Sequence, residues 1–494
     1  MKFILIFLFL LPMRVIAADF YIAQSAAGSG NGSSCANAHA LSGLTWAGGD
    51  INDGDTLHLC GTFTSTLTIG DSGGSGTEYT VYFEEDAKFS KSAWSSAAIN
   101  TNGKSYIIID GGTNGIIENT DNGTAGTYGS QIKTDAMTMG GSSNIELKNL
   151  TIQNLYVRTG ADDFSTGASG GSFIYASTFG NNLLIHDCTF SWAYRDLTFN
   201  YNSNVSNWKI YNNTFTHGCT GIWIAPTNVS TLTGLHIYNN TMDHGDDWSF
   251  NDNNDRWHAE YFHPYTDSGG FLDDVYVYNN TFGPESPMKL SSSATTAWIF
   301  DEADGDNHQY YNNLFISGSG FGATDGLLTR SSRSVGVGTK ILNNTFIQLG
   351  SQGGNAINLS YGGDASLLIK NNIVQNTTYG IYAPSGLSLT ANSQIDYNVF
   401  YNVSTWGNGS NWTTWTGNGY DPNSSNGSEP SLDANYVPTS DDTIAKDQGV
   451  DLSVYFTNDR DGNTRTGTWD IGAYEYGEAE TPAPANAIQG VTIN

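Results

Sequence analysis

Charge is scarce in this 494-residue chain, and positive charge is scarcest: 19 Lys and Arg stand against 48 Asp and Glu, for a formal net charge of −29. That deficit leaves no basic footprint for a nucleic acid. It would also repel a polyanionic glycan except where a local cationic patch overrides it. Proline is sparse, at 11 residues. No long run repeats its apolar residues with the 3.6-residue period of a helix. Beyond the first residues no stretch stays apolar for the roughly 20 positions that a spanning helix needs. Cysteine is limited to four.

What is present begins with MKFILIFLFLLPMRVIAADF. Lys2 supplies the charge, Phe3 to Leu11 an apolar core and Val15-Ile16-Ala17 a small-residue cleavage region. Residues 1–18 therefore read as a secretory signal peptide, and the mature protein as exported, soluble and monomeric. An exported chain permits disulfides. Cys35 and Cys60 flank one N-terminal segment and are read as a pair, whereas Cys188 and Cys219 are expected to be free, buried thiols.

The body of the chain repeats. YNNTF occurs at Tyr211–Phe215 and Tyr278–Phe282, with YNNTM, YNNLF and LNNTF as variants. Aligned on the closing apolar residue, the series runs Ile152, Phe190, Phe215, Met242, Phe282, Phe315, Phe346, Val374, Phe400, at intervals of 25 to 40 residues. A short alternating stretch precedes each copy and another follows most of them, which means β structure. A repeat near 25 residues with longer insertions means one stacked coil per repeat. The expected fold is all-β, a right-handed parallel β-helix. At each corner one asparagine takes the left-handed conformation that most residues avoid. The other hydrogen-bonds its equivalents in adjacent coils as a ladder. The Asn-x-Thr spelling at Asn212, Asn239, Asn279 and Asn343 matches a glycan acceptor. The ladder explains it as scaffold and predicts little glycosylation there.

On these repeats the chain resembles right-handed parallel β-helix proteins of the pectin-lyase-like superfamily. GSGNGSSCANAHAL followed by INDGDTLHLCGTF looks like their N-terminal cap. DRDGNTRTGTWDIGAYEY (Asp459–Tyr476) resembles the closing signature of choice-of-anchor Q proteins. The resemblance implies a cap and first coils over residues 19–104, coils over 105–403, a closing segment over 404–477 and a linker-like tail over 478–494. It also implies that the strand after the asparagine corner's short strand belongs to the sheet where such enzymes bind polysaccharide. The superfamily holds lyases, hydrolases and non-catalytic binders, so fold alone selects no reaction.

Alternation within those strands places Asp196, Trp223, Asp247, Lys289, Arg330 and Asn358 in one outward column, coils being about 4.8 Å apart. Two enzymatic readings follow. Lys289 as base with Arg330 as enolate stabiliser would serve β-elimination in a polysaccharide lyase, with Ca²⁺ assisting. Asp196 and Asp247 as a carboxylate pair, with Trp223 against a sugar, would serve a glycoside hydrolase. The insertion after the Asp247 strand adds Asn251, His258, Glu260 and His263 as substrate-lining candidates, with Trp257, Tyr261, Phe262 and Tyr265 as an aromatic wall. DEADGDN gathers four carboxylates, Asp301, Glu302, Asp304 and Asp306, of the ligand type that Ca²⁺ takes, with Asp301, Asp304 and Asp306 as the candidate ligands. A secreted adhesin or glycan-binding β-helix without turnover is the rival from another class.

Overall fold

The computed structural model describes residues 17–124, 132–157, 171–243, 260–266, 269–283, 297–316, 325–330, 338–347, 354–361, 367–383 and 394–477. Every pairing between its strands is parallel, in one sheet of 14 strands and one of 23. This is the right-handed parallel β-helix that the repeat predicts. Each coil lays down a strand that ends at the asparagine corner, a short strand after it, and a third strand beyond a second corner.

The nine closing residues of the repeat fall into one unbroken register. Ile152 pairs with Phe190, and the column continues through Phe215, Met242, Phe282, Phe315, Phe346 and Val374 to Phe400. All nine are buried, and Phe282, Phe315 and Phe346 stack at 4.7 and 4.5 Å. Each buried Phe contributes roughly 1.5–3 kcal/mol. Because coils stack in register, this column forms a continuous core.

The corners divide the asparagine pair as expected. Asn212, Asn239, Asn279, Asn312, Asn343 and Asn371 have φ between 50 and 59°. The following residues form the ladder. The backbone N–H of Asn213 donates to Oδ1 of Asn240, and the same 3.0 Å bond recurs from Asn240 to Asn280, then to Asn313, Asn344, Asn372 and Asn398. Each Nδ2 also donates to a backbone carbonyl of a neighbouring coil, such as Val277 O from Asn313. The ladder saturates donors and acceptors that would otherwise be buried unpaired. One expectation fails here. The Asn-x-Thr acceptor is the left-handed asparagine, not the ladder one. Asn212 and Asn239 are exposed, so the ladder does not shield them, whereas Asn343 is buried with its Nδ2 bonded to the closing segment.

At the N-terminus Asp19–Ala23 pairs with Thr56–Cys60, and a Cys35–Cys60 disulfide ties the cap to it, with Cα atoms 5.5 Å apart. Closing that loop stabilises the fold by roughly 3 kcal/mol. Cys188 is a free, buried thiol at the head of the ladder, its N–H donating to Asn213 Oδ1. Burial pushes its thiol up to about 12, which removes the reactive thiolate. The side chain of Cys219 and residues 1–16 lie outside the described residues. Among those described, no helix is long and apolar enough to cross a membrane.

The closing segment does more than end the stack: it runs back along the corner. Asn371 Oδ1 accepts from Val450 N, and Asn343 Nδ2 donates to Asp470 O and Gly472 O. Asn312 Oδ1 accepts from the buried Arg465, which also pairs with Glu475 at 3.0 Å. Arg460 reaches Asn280 O and Thr281 Oγ1, and Phe456 stacks on Tyr311 at 4.5 Å. The signature Asp459–Tyr476 is thus a clasp over the corners of four coils.

The third strands break strict alternation, and this positions the site. In each, two successive residues face the core: Phe173-Ile174, Tyr261-Phe262, Trp298-Ile299 and Ala356-Ile357 are all buried in it. A Cβ added at Gly326 or Gly380 would strike the core rings of Phe346 or Phe400, which places those positions inside as well. The residue before each inward pair and the residue after it consequently share the outer face.

Candidate functional site

Register across the third strands defines two outward columns. One runs Ser172, Arg195, Thr220, Glu260, Ala297, Asp325, Asn355, Tyr379. The other runs Thr198, Trp223, His263, Phe300, Leu328, Asn358, Tyr382. Near the strand ends Tyr265 bridges to Glu302 of the next coil.

The two columns meet at His263. Its Nδ1 lies 3.4 Å from Glu260 Oε2, and its Nε2 lies 3.1 Å from Glu302 Oε2. Burial pulls the imidazole pKa down, but the two carboxylates outweigh it and hold the ring above its usual value. His263 is thus clamped between two carboxylates that favour its charged form. The ring stacks on Phe300 at 4.7 Å and meets Trp223 edge-on at 4.6 Å. Trp223 in turn carries the Arg195 guanidinium over its ring at 4.5 Å. Its neighbours are therefore charged groups, and it positions them.

One coil beyond Ala297, Asp325 is half-buried. Its Oδ1 accepts from Asn355 N at 3.0 Å and Nδ2 at 2.6 Å, and its Oδ2 accepts from Asn358 Nδ2 at 2.7 Å. Burial pushes its carboxyl up to about 6, against the amides of Asn358 and Asn355, which favour the charged form. Glu260 and Asp325 stand in the same column two coils apart, so about 10 Å separates their backbones. Between them in the column stands Ala297, buried in an apolar cluster with Phe300 and Leu328.

The column expected from alternation is corrected in four places. Asp196 is fully buried, with both carboxylate oxygens lacking a hydrogen-bond partner. It is the first of its strand's two inward residues, and it fills the space that a side chain at Gly218 would occupy. Desolvation raises its carboxyl well above the usual range, so it sits neutral in the core. The strands stacked after Trp223 are Glu260–Pro264 and Ala297–Asp301, so His263 and Phe300 occupy the places expected for Asp247 and Lys289. Asp247, Lys289, Asn251, Trp257 and His258 lie outside the described residues. Tyr261 and Phe262 belong to the core and not to a sugar-facing wall, whereas Tyr265 lies 5.5 Å from Trp223. Leu328, not Arg330, holds the rung between Phe300 and Asn358; Arg330 ends its strand opposite Tyr361, beyond an irregularity, and its side chain is not described. Asn358 is in the outward column as expected, bonded to Asp325.

The carboxylates considered for Ca²⁺ do not converge. Asp301 Oδ2 accepts from Tyr310 Oη at 2.6 Å and pairs with His308 Nδ1 at 2.8 Å, all buried. Asp304 is buried, and Asp306 is exposed. Among the described residues no three His, Cys, Asp or Glu side chains are grouped to hold a metal ion.

Alternation alone hid Arg195, Glu302 and Asp325.

No protein-family model matches the chain, and no curated protein does. In shape it is similar to several solved β-helix proteins. A GH136 lacto-N-biosidase from Eubacterium ramulus is 14% identical, over 78% of this chain and 64% of that one, with a TM-score of 0.45. The chain thus spans just under two thirds of that protein's length. A family 28 exopolygalacturonase from Yersinia enterocolitica is 12% identical over 74% and 70%, with a TM-score of 0.39. A surface adhesin of Streptococcus pneumoniae is 14% identical over 75% and 87%, also at 0.39. These likenesses span hydrolases and an adhesin, and decide between none of them.

Proposed function

We propose that the chain is a polysaccharide-processing enzyme that hydrolyses glycosidic bonds on the outer face of its third strands. The observation that carries this reading is the His263 clamp between Glu260 and Glu302, with Asp325 two coils from Glu260 across Ala297. Glycoside hydrolysis needs one carboxyl protonated and one ionised at the working pH. Asp325, with its carboxyl near 6, is suited to protonate the leaving oxygen. Glu260 and Glu302, tied through His263, form the basic partner that activates water. A backbone spacing of about 10 Å suits the wider carboxyl separation of an inverting pair, roughly 6.5–9.5 Å, better than the roughly 5 Å of a retaining one. The disulfide and the N-terminal apolar leader fit an exported enzyme.

The test is incubation with a panel of neutral and acidic polysaccharides, following reducing ends and the ultraviolet absorbance of unsaturated products. Hydrolysis predicts reducing ends alone, and loss of roughly 10²–10⁴-fold in kcat for Asp325→Asn and for Glu302→Gln, the range of a positioned acid or base. Unsaturated product would make the protein a lyase. Retention on a glycan column without any turnover would make it a binder. Full activity in both variants would remove the assigned site.

A further inference from the structure

A protein with more than twice as many acidic as basic side chains has carboxylates to spare for its cations. Arg195 has none: its Nε is buried without a hydrogen-bond partner, and among the described residues it forms no ion pair. Two rings flank its guanidinium, Trp223 at 4.5 Å and Tyr194 at 5.6 Å. It stands in the outward column that continues through Thr220 to Glu260. Stacking fixes the plane of the guanidinium while leaving its N–H donors unspent, and a planar fork of that kind matches a carboxylate or sulfate.

We infer that Arg195 binds a single anionic substituent, a carboxylate or sulfate, on the glycan unit that lies on the N-terminal side of the Glu260–His263–Glu302 cluster. The inference rests on the hydrolase reading for its location and goes beyond it in naming the substrate class. A sparsely acidic glycan suits both facts at once. The protein's overall charge repels a polyanion, while one cation held over Trp223 attracts one anion. The Trp223 ring, touching both Arg195 and His263, sets the distance between the anchored substituent and the reacting bond.

The experiment is calorimetric binding of oligosaccharide pairs, identical but for one carboxylate or sulfate, to the full chain and to Arg195→Gln and Arg195→Lys. Circular dichroism confirms that each variant is folded. Wild type is expected to bind the acid-bearing member about tenfold tighter or more, the size of a charge-assisted hydrogen bond. Arg195→Gln is expected to bind both members alike, with neutral affinity unchanged, and Arg195→Lys to keep part of the preference. Equal binding of the pairs by wild type, or an undiminished preference in Arg195→Gln, overturns the inference. Hydrolysis of neutral glycans without any acid preference overturns this inference and leaves the hydrolase reading intact. Failure to bind or cleave any pair contradicts both.

Discussion

Two columns of the same solenoid obey opposite rules. At the corner, rung after rung carries the same residue: Asn213, Asn240, Asn280, Asn313, Asn344 and Asn372 each make the same bonds to the next coil. On the outer face of the third strands no rung repeats its neighbour, and Arg195, Thr220, Glu260, Ala297, Asp325 and Asn355 follow one another. Repetition is what stacking favours, because an asparagine at the same place one coil away completes each ladder bond, with Cys188 and Ser424 standing in only at its ends. Variation with convergent polar groups is what chemistry demands, because acid, base and anchor are different groups. A β-helix therefore separates scaffold from site by column, as other folds separate them by loop.

The comparison breaks most sharply at the ladder. Asn313→Ala removes Nδ2 from Val277 O and Oδ1 from the N–H and amide of Asn280, leaving buried groups unpaired at about 1–3 kcal/mol each. A loss of about 4 kcal/mol in denaturant unfolding is expected, with kcat per folded molecule unchanged. A loss below 1 kcal/mol would mean that the ladder is decoration.

Asp196 offers a smaller effect of opposite sign. Its carboxyl is buried with no partner, so Asp196→Val should raise stability by about 1–2 kcal/mol and leave turnover intact. The pH sign follows from the raised carboxyl. In the unfolded chain Asp titrates near 3.9. The native state keeps its proton at higher pH, so stability is fully present below about pH 4 and declines as pH rises. The Val variant should lose that component of the slope. A loss of turnover in it would restore the catalytic role that alternation suggests for Asp196.

How legible the molecule was in its sequence follows the same division. YNNTF supplied the register, because stacked coils force identical residues into identical places. The cap disulfide and the closing segment were legible as well, although the path of that segment over Asn312, Asn343 and Asn371 was not. Lys289 and Asp247 were assigned to the outward column for a physical reason. In a long coil several short segments alternate equally well, and only pairing with Ile222 selects Phe262 from among them. Asp196 went to the wrong side because a strand with two successive inward residues defeats a period of two. Glu302 was legible only as one carboxylate of DEADGDN, and its place beside His263, like Asp325's in the column, emerged only with the register.

The most direct measurement is the pH dependence of kcat/KM on whichever glycan is cleaved, for wild type and Asp325→Asn. With Asp325 as the acid, its carboxyl near 6 must hold a proton, so wild-type activity should fall as pH rises through about 6. The residual activity of Asp325→Asn should lack that limb. An alkaline limb that survives unchanged in Asp325→Asn would contradict the assignment of acid and base on the outer face.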